Sequence, residues 1–305
     1  MLTDDCSLSH AQLSRVRAEA SRALQEAGAY GVFPTPINDI MAVARVVEVE
    51  DDVLNESFVA KLRTTTRSAG KLLRSALSKV LGLFHASEGL IFIDKSLHEV
   101  KKRFVRLHES GHGFLPWQRG MYAVVEDCEK SLDPDVADSF DREANVFASE
   151  VLFQLDTFIH DAEAREFSIF TPVKMSKTYG ASIYSTVRQY VSKNSRTCMV
   201  LVLNKPELIA DVGFRTTLRR AIRSESFERM FGLLAWPDSF TPDDEIGAMI
   251  PYGHRRASGK RNLALTDLNG NSHECIAEAF TQSYQVFVLI HVGDELGKVR
   301  ILLPG

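Results

Sequence analysis

The sequence predicts an α+β chain in two parts: a mainly helical core with a small antiparallel sheet over residues 1–194, and a C-terminal α/β module over residues 195–305. Three observations carry this reading. Apolar residues recur at helical spacing through much of the first part. The strand-like segments there are short, the clearest being "GLIFID" from Gly89 to Asp94. Beyond Ser195 the pattern changes to "RTCMVLVLN", "YQVFVLIHVG" and "KVRILLPG", strand-like runs mixed with one or two helices.

Taken in order, "SHAQLSRVRAEASRALQEAG" places Leu13, Val16, Ala20 and Leu24 on one helical stripe and stops at a glycine. "FPTPINDIMAVARVVEVEDD" gives a proline-marked entry, a short helix around Ile37 to Ala44 and a β-branched run. From Ser57 to Ser87 no residue is acidic, while Lys61, Arg63, Arg67, Lys71, Arg74 and Lys79 are basic. This is a solvated helix face or a contact surface for an acidic partner. The strand "GLIFID" leads into a helix with Phe104, Leu107, Gly111 and Phe114 on its inner stripe. "MYAVV", Met121 to Val125, reads as an edge strand. Asp133 then caps a helix with Pro134 at its first position and a stripe of Val136, Phe140, Ala144, Phe147 and Val151. A further amphipathic helix, "YGASIYSTVRQYVSKN", closes the first part.

Composition narrows the class. With 45% hydrophobic and 25% charged residues among 305, the chain is ordinary globular protein. Its net charge of −4 argues against a surface wholly coated by nucleic acid. Cys6, Cys128, Cys198 and Cys275 show no paired spacing, so neither a disulfide framework nor a thiolate zinc cluster is expected. With no signal-peptide pattern at "MLTDDCSLSHAQ" and no long apolar window, the expectation is a cytoplasmic protein without a membrane span.

The chemistry concentrates in "RFVRLHESGHGFLPW", Arg103 to Trp117. His108 and His112 stand four apart, so both imidazoles project to one side of the helix and suit one metal ion. Glu109 is poorly placed to join them as a ligand and well placed to act on a water as general base. A site of this kind takes a third protein ligand and leaves a position open. Glu143, a carboxylate inside the apolar stripe of the next helix, is the candidate, since burial without a partner would be costly. A His, His, Glu set with an open position favours zinc, with manganese or iron as alternatives. Glu150, two turns on, is either a partner that orients a ligand histidine or an ordinary surface-edge glutamate, and Asn145 either hydrogen-bonds within the site or caps local structure. Tyr122, Tyr179 and Tyr184 are candidates for an oxyanion donor. The alternatives to a catalytic metal are hydrogen-bonded core histidines with Glu143 in an ion pair, or a structural ion.

"RFVRLHESGH" followed by "REANVFASEVLF" resembles the ImmA/IrrE family of metallopeptidases, in which a strand precedes the HExxH helix and a later E-x-x-A-N-x-F-A helix gives the third ligand. The likeness spans about residues 20 to 190. It implies a zincin-like core similar to zinc peptidases of the thermolysin kind, His108, His112 and Glu143 as metal ligands, and Glu109 as the catalytic glutamate. Ser110 and Gln154 depart from the family pattern, the latter standing where a proline is usual. The resemblance implies a narrow-specificity endopeptidase that cleaves a helix-turn-helix repressor and so induces a stress or mobile-element response. The competing expectation is a non-proteolytic regulator that binds a repressor or DNA around a structural metal; an intact Glu109 favours the enzyme. The basic loop His254 to Arg261 reads foremost as solvated surface, with contact to nucleic acid or a partner as the other readings.

Overall fold

A computed structural model describes residues 7–49, 82–85, 89–127, 132–253 and 256–293. The basic Lys61 to Lys79 segment lies outside these residues, as do Cys6, Cys128, His254 and Arg255. The chain divides into two compact units, Met1–Phe158 with Ser176–Ser182, and Ile159–Met175 with Ile183–Gly305.

In the first unit, α1 (His10–Glu26) opens on a capping box, with Ser9 accepting from the Gln12 backbone and the Gln12 side chain returning to Ser9. It buries Val16, Ala20, Ala23 and Leu24. Helix α2 (Ile37–Ala44) ends at Arg45, whose φ of 55° turns the chain into β1 (Val47–Glu48). Strands β2 (Gly82–His85) and β3 (Leu90–Ile93) follow. The order is β1-β3-β2, with β1 parallel and β2 antiparallel to β3. The small sheet is therefore mixed rather than purely antiparallel. Gly89, at φ +65°, makes the entry to β3 possible: a Cβ there would sit 2.4 Å from the Arg45 carbonyl oxygen.

Helix α3 (Glu99–Phe114) is capped by His98, which accepts from the Val100 amide, and it stops at the extended Leu115 before Pro116. Helix α4 (Pro116–Asp127) starts on that proline. Met121 to Val125 therefore lie within a helix, not the edge strand expected from their aromatic and β-branched character. Pro116 sets a helical start, and Tyr122 packs its ring on His112 at 5.3 Å. Tertiary contact overrides strand propensity. Helix α5 (Pro134–Leu152) starts with Asp133 accepting from the Asp135 amide and Pro134 in the first turn. Helix α3 packs on α5, α1 packs on α5, and α2 packs on α3. The α3–α5 approach is close because position 111 is glycine: a Cβ there would meet Phe147 at 3.1 Å and the Ala144 Cα at 3.4 Å.

The C-terminus of α5 explains the Gln154 departure. Gln154 has φ 50°, which a proline ring cannot adopt. Its fully buried amide donates to the carbonyls of Ala29 and Val32 and accepts from the Gly31 amide, tying the segment after α1 to the end of α5.

Helices α6 (Thr157–Glu163) and α7 (Phe170–Tyr179) follow in the chain. In the second unit, α8 (Ile183–Ser192) packs on β4 (Cys198–Asn204) and β6 (Gly213–Arg223). Contacts thus group residues 183–192 with the sheet that follows, upstream of the pattern change at Ser195. Strands β5 (Glu207–Ile209), β7 (Ser239–Phe240), β8 (Arg261–Thr266), β9 (Ser272–Thr281) and β10 (Gln285–Val292) complete a sheet of order β5-β6-β4-β10-β9-β8, with β7 beside β6. Every pair is antiparallel. The module is therefore α+β in the strict sense; an α/β unit would need parallel strands joined by crossover helices. Met199, Leu201, Phe227, Phe231, Val288 and Ile290 are among its core, Phe227 and Phe231 coming from α9 (Glu225–Phe231). Cys198 and Cys275 are buried and free. No helix among the described residues is long and apolar enough to cross a membrane.

Candidate metal centre

Helix α3 carries His108, Glu109 and His112 against α5, and the four-residue spacing turns both imidazoles to the same side. Their Nε2 atoms stand 3.2 Å apart. The carboxylate beside them is Asp141: its Oδ1 lies 3.7 Å from His112 Nε2 and 4.0 Å from His108 Nε2. His108, His112 and Asp141 form a group of potential ligand atoms all within 4.8 Å of one another.

Glu143, the third ligand expected from the sequence, is brought elsewhere. It is buried, but its Oε1 takes Arg15 at 3.0 Å, and its Oε2 accepts from Trp117 Nε1 at 2.6 Å and from Gln118 Nε2 at 2.8 Å. These contacts meet the need that burial created. Among the described residues, the carboxylate grouped with the two histidines is Asp141, whereas Glu143 is the ligand expected from the sequence. The signal was present in the sequence: in the E-x-x-A-N-x-F-A pattern the acidic position is three before the alanine, and three before Ala144 is Asp141. The choice of Glu143 followed depth in the apolar stripe. The carboxylate of an open site belongs at the stripe's edge, and the Asp141 side chain is 40% exposed.

The ring nitrogens facing away from Asp141 are held. His108 Nδ1 lies 3.0 Å from Asn145 Oδ1, and His112 Nδ1 lies 2.7 Å from Gln118 Oε1. The Gln118 amide donates through Nε2 to Glu143 and to the Phe140 carbonyl at 3.2 Å, so its oxygen must face His112. His112 therefore carries hydrogen on Nδ1, which turns its Nε2 lone pair towards His108, while the His108 tautomer follows from which way the Asn145 amide faces it. Glu150 is buried with its carboxylate 3.6 Å from Arg17. Tyr122 is the tyrosine beside the centre. Tyr179 packs among Phe33, Phe153 and Phe158, and Tyr184, in the second unit, meets Arg220.

Electrostatics follow from burial. Desolvation, then the neighbouring His112, pulls His108 down to about 3. Desolvation takes His112 down to about 4. Both rings are neutral at pH 7, as metal ligands must be. Desolvation, then the nearby Asp141, pushes Glu109 up to about 8. Asp141 rises to about 6 through burial, with Asp138 adding to it. Desolvation, then Asp141 and Glu109, raises the Tyr122 phenol strongly, so its hydroxyl stays protonated.

The two imidazole Nε2 atoms, 3.2 Å apart, and the Asp141 Oδ1 beside them converge as three donor atoms that could share one cation. The donor set of two nitrogens and one oxygen suits zinc, and also manganese or iron. The residues fit a divalent metal.

Residues 71–187 match the family model described as the IrrE N-terminal-like domain, a peptidase family. No curated protein matches the chain. A solved structure described as a Mycobacterium tuberculosis transcriptional regulator is similar at 12% identity, with a TM-score of 0.49, over 91% of this chain and 75% of that chain.

Proposed function

We propose, from the premise that residues 71–187 are an IrrE N-terminal-like peptidase domain, that this chain is a metal-dependent endopeptidase of narrow specificity. The observation that carries the reading is the convergence of His108 Nε2, His112 Nε2 and Asp141 Oδ1, with Glu109 buried on the same helix. When bound, a zinc ion would supply Lewis acidity towards water and the scissile carbonyl. Glu109 takes the proton of the attacking water on a carboxylate oxygen and returns it to the leaving amine nitrogen. The low-dielectric surroundings that raise Glu109 make its ionised form a stronger base than a solvated carboxylate. Gln118 holds the His112 imidazole in the tautomer that leaves Nε2 bare, and Asn145 holds the His108 ring. Tyr122, protonated beside His112, is the candidate to donate to the oxyanion.

The substrate in this reading is a protein, and the ImmA/IrrE likeness points to a helix-turn-helix repressor. Metal analysis of the purified chain, followed by incubation with a repressor encoded beside it, tests this. Bound metal with a discrete cut supports it; intact repressor with fully metal-loaded protein counts against it.

A further inference from the structure

Glu143 and Gln118 make an unbroken run of hydrogen bonds into the metal centre. It starts at Arg15 on α1, whose guanidinium lies 3.9 Å over the Trp117 ring and 3.0 Å from Glu143 Oε1. Glu143 Oε2 then accepts from both Trp117 Nε1 and Gln118 Nε2. Gln118 is fully buried, and its second amide hydrogen goes to the Phe140 carbonyl. Only one orientation of that amide satisfies all its neighbours, because a flipped amide would set its oxygen against a carboxylate and a carbonyl. The remaining contact, Gln118 Oε1 to His112 Nδ1 at 2.7 Å, therefore admits only an Nδ1–H donor.

We infer that Glu143 and Gln118 are positioning residues which lock the His112 tautomer, Glu143 by orienting the Gln118 amide and Gln118 by accepting from His112 Nδ1. The inference rests on the metallopeptidase reading for its consequence, but the tautomer lock stands on hydrogen bonds alone. It gives the Glu143 carboxylate a task distinct from ligation. Left free, a neutral imidazole favours hydrogen on Nε2, the nitrogen that must be bare to bind metal. A lost outer partner of a ligand histidine typically weakens metal affinity about 10- to 100-fold.

The test uses the full-length, metal-free chain, with ¹⁵N-labelled histidine, and reads the His112 ring nitrogens by NMR. Zinc affinity is measured by chelator competition on the same samples. Wild type should show His112 with Nδ1 protonated. Gln118→Met, nearly isosteric, should bring in the Nε2–H form and lower zinc affinity about 10- to 100-fold. Glu143→Gln keeps an oxygen for Trp117 and Gln118 but sets an amide nitrogen against Arg15, so it should admit some of the Nε2–H form and lower zinc affinity by no more than Gln118→Met does. A ligand carboxylate made amide would instead lose the metal. The inference is overturned if Gln118→Met leaves His112 wholly Nδ1-protonated with unchanged zinc affinity, or if Glu143→Gln loses zinc as a ligand variant does. A wild-type chain that takes up no zinc would sink the peptidase reading, while the tautomer in wild type and Gln118→Met would still decide the lock.

Discussion

His108 and His112 face each other through Nε2 atoms 3.2 Å apart, each ring held from behind by a side-chain amide oxygen. With Asp141 Oδ1 beside them, they bring three potential ligand atoms within 4.8 Å of one another.

Glu109→Gln should keep metal and fold while losing peptide cleavage by about 10²- to 10⁴-fold, because an amide does not accept the water's proton. Cleavage of the natural partner, followed by gel over time with metal content measured in parallel, checks it. Wild-type cleavage by a metal-loaded Glu109→Gln chain would exclude Glu109 as the base.

The same substitution should change how stability depends on pH in the metal-free protein. Glu109 rises from 4.5 when unfolded to about 8 when folded, so its contribution is present below about 4.5 and lost as pH climbs to about 8. His108 and His112, held below their unfolded 6.5, act the other way and withdraw stability as pH falls towards 4, in wild type and variant alike. The stability difference between Glu109→Gln and wild type should therefore grow with pH from about 5 to 8. By pH 8 it should reach on the order of 1 kcal/mol or more. Denaturant unfolding at three pH values reads it; a difference that stays flat refutes the assignment.

Gly111→Val should destabilise the first unit by about 1–3 kcal/mol through overpacking, since even a Cβ there meets Phe147 at 3.1 Å. It should also weaken metal binding, because the α3–α5 spacing sets the distance from the histidines to Asp141. Thermal unfolding and zinc titration on one sample would show both, and a change in neither would mean the crossing is slack.

Gln154→Ala leaves the Ala29 and Val32 carbonyls without their donor and should cost about 1–3 kcal/mol. Gln154→Pro should cost more, since φ 50° is closed to proline. Urea denaturation ranks the two, and the reverse order would contradict the turn assigned here.

The sequence made the helix that carries His108 and His112, the β3 strand before it and the Asp133-capped start of α5 legible, because spacing, capping and proline position act locally. The acidic position of the E-x-x-A-N-x-F-A pattern marks Asp141, three before Ala144, whereas depth in the apolar stripe points to Glu143. A rule that hunts for the most buried carboxylate finds Glu143, whose partners Arg15, Trp117 and Gln118 come from two other helices and leave no local trace. Gln118 was missed for the same reason: nothing near it in the chain marks it as the partner of His112, six residues earlier. The Met121 to Val125 stretch was misread because strand propensity is a contextual quantity, and here the context is a helix packed on His112. Beyond Ser195 the apolar runs in "RTCMVLVLN" and "YQVFVLIHVG" form β4 and β10, "KVRILLPG" lies outside the described residues, and such runs say nothing about whether neighbours run parallel.

The most direct test of the central claim is zinc titration of the metal-free full-length chain in four forms: wild type, His112→Ala, Asp141→Ala and Glu143→Gln. About one zinc per wild-type chain is expected, with loss of tight binding in His112→Ala and Asp141→Ala and retention in Glu143→Gln. Wild-type binding by Asp141→Ala together with loss in Glu143→Gln would contradict it.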